Sequence, residues 1–302
     1  MNIFVIVVTY KGQQWYDRCF ESLRQSSLPV TTIVVDNASN DGSADYIRER
    51  FPEIVLIESK ENLGFGKANN LAMRYALDHG CDFVFLLNQD TWMIDNDLLR
   101  KLTDVSSQHP EFGILSPMHV QADGQTLGMM WENGNNLCSI DMLTDMYKGK
   151  VSDVYETNYV NAAAWLLPKR TLLSVGGFDP IYTHYEEDDD YLNRACYHGL
   201  KIGICPSTKL VHDHKKRENP FTSDEKAYHH EQELIVKLTN INQSNTISKY
   251  YRYCVRKLIL NLLTFNWKSM KPYVKDLRFV RTHSKRIAQS RKMNMQIGAT
   301  WI

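Results

Sequence analysis

Residues 3–90 switch repeatedly between two hydrophobic periods, and few architectures accommodate that pattern. Ile3–Thr9 is a near-continuous apolar, β-branched run, the signature of a strand covered on both faces. Trp15–Gln25 then carries Cys19, Phe20 and Leu23 at helical spacing. A second strand is expected at Thr31–Val35, followed by the turn- and cap-rich run Asp36-Asn37-Ala38-Ser39-Asn40-Asp41-Gly42-Ser43. A helix over Ala44–Arg50 is closed by Pro52, and a third strand follows at Ile54–Ile57. Asn62-Leu63-Gly64-Phe65-Gly66 opens a helix reaching about His79, and Phe83–Leu87 is a fourth strand that ends at Asn88-Gln89-Asp90. Strands alternating with helices predict an α/β fold built on parallel strands with right-handed crossovers. Ligands of such sheets sit beyond the carboxyl ends of the strands, where Asp36 and Asp90 fall.

Beyond this region the periodicity is weaker. Gly113–Tyr159 reads as Gly-, Asn- and Met-rich irregular segments with short antiparallel strands. Order returns at Tyr159–Pro168, with a short helix at Thr171–Val175 ending at Gly176-Gly177. A helix over Tyr191–His198, stopped by Gly199, leads into a strand at Lys201–Ile204. The polar, Pro-containing stretch Lys215–Ser223 reads as a boundary between an α/β domain, residues 1–220, and a helical extension, residues 221–302. In the extension Val255, Leu258, Leu262 and Phe265 form an apolar stripe.

Six cysteines without a C-x-x-C pair fit reduced thiols in a cytoplasmic protein better than a disulfide framework or a zinc site. The N-terminal residues lack the basic and small-residue elements of a signal peptide, and no apolar run approaches the ~18 residues of a membrane span. The formal net charge is zero but unevenly spread. Lys249–Lys292 holds thirteen Lys or Arg and one acid, Asp276, so the remainder, with 22 basic and 34 acidic residues, is strongly acidic. A basic, aromatic segment of this kind needs a counterpart. No nucleic-acid-reading module accompanies it, so nucleic acid is not expected. An anionic membrane surface, the acidic body of the same chain and a homodimer are the readings the sequence supports.

Several constellations bear on chemistry. Gly64-x-Gly66-x-x-Asn69 looks like a dinucleotide fingerprint, yet its third position is Asn and it follows the third strand rather than the first. A phosphate-binding P-loop fails because Gly66-Lys67 is followed by Ala68. Asn88-x-Asp90 at a strand end offers oxygen ligands for a hard divalent cation, or simply caps a turn. Glu186-Glu187-Asp188-Asp189-Asp190 sets five carboxylates in a row just before a helix. Acids are favoured at a helix N-terminus, but crowding raises their pKa values, as suits a general base. His212 follows a strand and is a buried hydrogen-bonded residue or, if the fold brings it to Asp90, a metal ligand. Trp165 beside Ala162-Ala163-Ala164 packs in a core or flanks a substrate.

Taken in order, Val7-Val8-Thr9-Tyr10, Val34–Ser43, Asn62–Asn70, Leu87-Asn88-Gln89-Asp90, Gly176-Gly177-Phe178-Asp179, Glu187-Asp188-Asp189-Asp190 and Val211-His212 resemble the family 2 glycosyltransferases of GT-A fold, over roughly residues 3–214. Within that family the chain looks most like bacterial rhamnosyl- and galactofuranosyl-type enzymes. The resemblance implies an inverting transfer from a UDP- or dTDP-linked sugar to a hydroxyl of a glycan or lipid-linked acceptor in cell-surface polysaccharide synthesis, at the cytoplasmic face of a membrane. By the same resemblance Thr9, Tyr10, Asp36, Asn62, Lys67, Asn69, Asn88 and Asp90 belong to the nucleotide and donor site. Asp90 and His212 would hold Mg²⁺ or Mn²⁺, and Asp188, with Glu187, would be the catalytic base. Trp165, Asp190 and the loop Gln121–Glu156 are assigned to the acceptor. Asn88 departs from the pattern, since the fuller family motif has Asp there and a neutral amide holds a cation less strongly. A nucleotidyltransferase, or a binding protein of the same fold without turnover, are the other readings of these residues.

Overall fold

The computed structural model describes residues 1–128, 140–213 and 220–302. The first half follows the hydrophobic pattern closely: β1 (Ile3–Thr9), α1 (Gln13–Arg24), β2 (Val30–Asp36), α2 (Ser43–Arg50), β3 (Val55–Glu58), α3 (Gly64–Asp78) and β4 (Phe83–Asn88). After these come β5 (Thr91–Met93), α4 (Leu98–Gln108), β6 (Phe112–Val120), α5 (Ile140–Lys148), β7 (Tyr155–Thr157), β8 (Ala164–Pro168), α6 (Lys169–Ser174), α7 (Glu187–Tyr197) and β9 (Lys201–His212). The extension consists of α8 (Ser223–Thr239), α9 (Thr246–Leu263), a 3-10 turn at Trp267–Met270 and α10 (Lys271–Asn294).

Among the described residues all nine strands join one mixed sheet in the order β3-β2-β1-β4-β8-β6-β9-β5, with β7 on the outer edge of β9 beside β5. The strands β3, β2, β1 and β4 are parallel, while β8 runs against both β4 and β6. The register sets Thr9 beside Asp36 and Val8 beside Asn88, so three polar positions line up at one carboxyl edge. Helices cover both faces. One core packs β-strand side chains against α3 and α7 around Trp165, Phe178 and Tyr191, and the other packs them against α1 and α4 around Phe20, Phe51 and Leu102. Close packing of these large buried side chains on both faces makes the strand ends rigid enough to carry a site.

Two expectations are corrected. The region from Gly113 is not irregular at its start, because β6 is a nine-residue strand buried throughout and running parallel to β9. Gly113, Pro117 and His119 hide it in the sequence, and the structure absorbs them with register shifts at Phe112/Ile114 and Pro117/Met118. The second is the acid run: Glu187–Asp190 does not precede a helix but forms the first turn of α7, with Glu186 at its cap. Residues 129–139 of the expected acceptor loop, and 214–219 of the expected boundary, lie outside the described residues.

The extension is helical, as the pattern predicts, and α8 opens on a capping box formed by Thr222 and Glu225. Leu234, Ile235, Leu238, Val280 and Ile287 bury themselves against Ile181 and Tyr182 of the α/β portion. Asp179, buried in the body, accepts from Ser290 Oγ (2.5 Å) and Asn294 Nδ2 (2.7 Å) of α10.

Candidate active site

The carboxyl edge of the parallel strands opens into a cavity of about 630 Å³. Tyr10, Asn37, Asn62, Lys67, Asn88 and Asp90 line it, joined by Glu61, Phe65, Gln89 and His184. Its walls are fixed by side chains bonded to backbone. Asn37 Nδ2 donates to Asn62 Oδ1 (2.9 Å) and to the Gly64 carbonyl (3.2 Å), while its Oδ1 accepts from Leu63 N (2.7 Å). Gln89 grips Tyr10 at both its N–H (2.9 Å) and its carbonyl (3.1 Å). Asp36 sits behind this wall, accepting from Thr9 Oγ1 (3.2 Å) and Ser39 N (3.1 Å), and so holds the loop at the end of β2 in place.

The Gly64-x-Gly66 signal has a different cause from a pyrophosphate turn. Gly64 has φ +77° and a side-chain carbon there would lie 2.3 Å from the Thr183 carbonyl. At Gly66 it would lie 2.9 Å from Phe178 Cβ. Both glycines therefore let the segment Phe178–Thr183 approach α3. Asn70 completes the seam, donating to the Phe178 carbonyl and accepting from its N–H, each at 2.7 Å.

That approach brings the acid turn to the first cavity. A second hollow, about 370 Å³, shares Phe65, Asn88 and His184 with the first and is lined by Tyr159, Asn161, Tyr185 and the carboxylates Glu186–Asp189. Tyr185 and Glu186 both lie in the left-handed region (φ 70° and 67°), an uncommon conformation for two successive non-glycine residues that aims the helix start into the hollow. Burial pushes Glu187 up to about 7, and burial with the Asp188 charge does the same to Glu186 and Asp189. Burial also raises Asp188, against the hydrogen bonds that favour its ionised form, among them one from Tyr159 Oη at 3.2 Å. A carboxylate lifted by burial and facing a cavity holds a proton more tightly than a solvated one, the property a general base draws on.

At the far side of Asn88, the antiparallel pairing of β5 with β9 sets Thr91 opposite His212 and brings His212 Nε2 to 3.6 Å from Asp90 Oδ1. Beside them His119 is buried, its ring 5.7 Å from that of His212, and burial pushes it down to about 3, so it stays neutral. One carboxylate and one imidazole nitrogen facing each other at the strand end supply two donors toward a divalent cation, and among the described residues no third His, Cys, Asp or Glu joins them.

The family model of glycosyl transferase family 2 matches residues 4–160, which takes in the carboxyl ends of β1, β2 and β4 but not His212 at the end of β9. The chain belongs to glycosyl transferase family 2. Among curated relatives, an N-acetylglucosaminyl-diphospho-decaprenol L-rhamnosyltransferase of Mycobacterium tuberculosis is 25% identical over 260 residues, covering 76% of this chain and 82% of its own. Rhamnosyltransferase WbbL of Escherichia coli K12 is 22% identical over 274 residues, covering 87% and 97%. Of solved structures, the mannosyltransferase PcManGT of Pyrobaculum calidifontis, in complex with GDP-Man and Mn²⁺, matches with a TM-score of 0.55 at 19% identity over 83% of this chain and 64% of that one. TarS 1-349 of S. aureus with UDP-GlcNAc matches at 0.55 and 17% identity over 80% and 67%. The fold is thus the GT-A arrangement that the sequence resemblance implies.

For a family 2 chain the predicted residues divide into three groups. Tyr10, Asn62, Lys67, Asn88 and Asp90 line the first cavity, and Glu187 and Asp188 line the second. Thr9, Asp36 and Asn69 are buried behind the first, where they hold its wall. The acceptor assignment of Trp165 and Asp190 is corrected. Trp165 is fully buried between Phe178 and Tyr191, and Asp190 is buried in an ion pair with Arg194 (2.7 Å). Among the described residues neither lines either hollow, and both are buried away from them. In their place the second hollow presents Tyr159, Asn161, His184, Tyr185 and His229, the last from α8 of the extension. Tyr185 and Phe221 lie against the His229 ring, with centroids 4.7 and 4.5 Å away. No local pattern marks these residues, because they come together only when the extension folds back over the acid turn.

Proposed function

We propose that this family 2 enzyme is an inverting glycosyltransferase that moves a sugar from a UDP- or dTDP-linked donor to a hydroxyl of a glycan or lipid-linked acceptor in cell-surface polysaccharide synthesis. The observation that carries this reading is the junction of the two hollows: a polar cavity ending at Asp90 and an acid-lined one ending at Asp188 meet across Asn88 and Phe65. The nucleotide would lie along Tyr10, Asn37, Asn62 and Lys67, with its diphosphate toward Asp90, and the acceptor hydroxyl would enter from the side of Asp188. Asp188 takes the hydroxyl proton as the oxygen attacks the anomeric carbon, and Tyr159 Oη holds the carboxylate in place. The C–O bond to the diphosphate breaks on the opposite side, so the anomeric configuration inverts. Lys67 offers positive charge toward the departing diphosphate. Mg²⁺ or Mn²⁺ held by Asp90 and His212 would neutralise charge on that leaving group. The relative named for transfer of rhamnose to N-acetylglucosaminyl-diphospho-decaprenol supports a lipid-linked acceptor, and PcManGT bound to GDP-Man and Mn²⁺ supports the cation. The reaction would run on the cytoplasmic side, where the basic segment 249–292 meets an anionic membrane or a second copy of the chain.

Thermal-shift titration with UDP, dTDP, GDP and CMP, each with and without Mn²⁺, tests the donor site. A ligand at 100 times its dissociation constant stabilises by roughly 2.7 kcal/mol, which is several degrees for a chain of this size. One diphosphate should shift melting, and more with Mn²⁺. No shift with any of them would overturn the reading, and pyrophosphate rather than nucleoside diphosphate released from a sugar donor would make the chain a nucleotidyltransferase.

A further inference from the structure

We infer that the turn joining α9 to α10 is a membrane-docking tip, which seats an apolar end in the headgroup boundary of a bilayer containing anionic lipid. Around the last turn of α9 and the 3-10 turn after it, Ile259, Leu260, Leu262, Leu263, Phe265 and Trp267 all face solvent. Leu263 is 71% exposed, Phe265 77% and Trp267 58%. Single exposed apolar side chains are ordinary on a protein surface, whereas six within residues 259–267 form a patch that needs a cover. The apolar stripe predicted for α9 divides at this point. Val255 and Leu258 are half-buried, as for a helix packed on its neighbours, while Leu262 and Phe265 point outward.

The chemistry of the cover follows from the charge around the patch. Arg252, Arg256 and Lys257 precede it on α9 and Lys268 and Lys271 follow it, and among the described residues Arg252, Arg256, Lys268 and Lys271 have no carboxylate within ion-pair distance. The acid of this segment, Asp276, is buried and already accepts from Tyr250 Oη (2.7 Å) and faces His230 Nε2 (2.9 Å). A second copy of the chain docking by the same patch would bring cations against cations with no acid to answer them. An anionic bilayer supplies both an apolar phase for Leu263 and Phe265 and negative charge for the flanking Lys and Arg, with Trp267 suited to the boundary between them. Among the described residues no helix is long and apolar enough to cross a membrane, so the tip lies in the surface rather than through it. The docking rests on the proposed function only for its purpose, which is to hold the enzyme where a lipid-linked acceptor is presented.

Co-sedimentation of the full chain with phosphatidylcholine vesicles containing about one third phosphatidylglycerol, compared with pure phosphatidylcholine, tests the inference. Binding should need the anionic lipid and fall as salt is raised toward about 1 M. The triple variant Leu263→Asp, Phe265→Asp, Trp267→Asp should lose roughly a hundredfold in partitioning, with melting unchanged because all three side chains are exposed. Lys268→Glu with Lys271→Glu, which leaves the apolar patch intact, should lose at least roughly fivefold per cation. Equal binding to both vesicles, or binding that survives the triple variant, would overturn the inference. Self-association abolished by the triple variant, without vesicle binding, would assign the patch to a second copy and overturn it as well. Because these readouts need no turnover, an inactive but vesicle-bound chain would count against the catalytic reading alone.

Discussion

The two adjoining hollows are built on opposite principles. The first hollow, proposed to take the nucleotide, is a cavity of amides: Asn37, Asn62 and Gln89 spend their hydrogen bonds on backbone and on one another, and their geometry is fixed before any ligand arrives. The acid side is a cavity of charge, where Glu186, Glu187 and Asp189 are each pushed up to about 7 and Asp188 is raised beside them. Preorganised dipoles bind a ligand without cost in reorganisation, while crowded, half-desolvated carboxylates tune a proton acceptor at the expense of stability. On the proposed reading, binding and chemistry are separated by a few residues around Asn88.

The sharpest way to break that division is Asp188→Asn. Turnover measured as nucleoside diphosphate release should fall by about a thousandfold, while diphosphate affinity in a calorimetric titration stays the same. Loss of affinity in the same variant would mean that the two hollows are not separate. The converse variant is Asp90→Ala, for which diphosphate affinity in Mn²⁺ should drop at least about tenfold to a hundredfold. Equal affinity with and without Mn²⁺ in both proteins would remove the cation from the site.

Tyr159→Phe should act more mildly. Its hydroxyl donates to the ionised form of Asp188, so its loss raises that carboxyl further and moves the acid limb of the pH–rate profile upward, with turnover near neutrality down by roughly tenfold. A purely structural tyrosine would lower the rate at every pH without moving the limb.

The smallest effect concerns stability. Glu187 and Asp189 hold their protons more tightly folded than unfolded, so the stability they contribute is present at acid pH and is lost as pH rises through about 7. Activity, which needs an ionised base, should run the opposite way. Glu187→Gln should therefore raise the melting temperature by about 1–3 °C above neutrality and change little near pH 5. A gain that is the same at both pH values would show that the crowded charge is not the cause.

Legibility in the sequence followed how local each cause is. The strands from Ile3 to Asn88 were readable because a strand buried on both faces is a short apolar run and each crossover helix has its own period. β6 was not, since Gly113, Pro117 and His119 interrupt it and pairing with β8 and β9 is what makes it a strand. The pair Gly64 and Gly66 was visible but ambiguous: the sequence marks a close approach of backbone without saying to what, and the structure answers with Thr183 and Phe178.

What the sequence determined by itself was the α/β order, the polar strand ends at Asp36, Asn88 and Asp90, and the position of the acid run, because alternation, turn chemistry and charge are properties of neighbouring residues. Only the tertiary structure decided that Asp36 supports a wall while Asn37 lines it, and that Asp190 spends its charge on Arg194 while Asp188 faces a hollow. The same holds for His229, which reaches the acid turn from the extension, and for Leu263, Phe265 and Trp267, which are left outside the core. Burial and contact across long stretches of chain set these roles, and the free energy of a carboxylate or an aromatic ring depends on what surrounds it rather than on what precedes it.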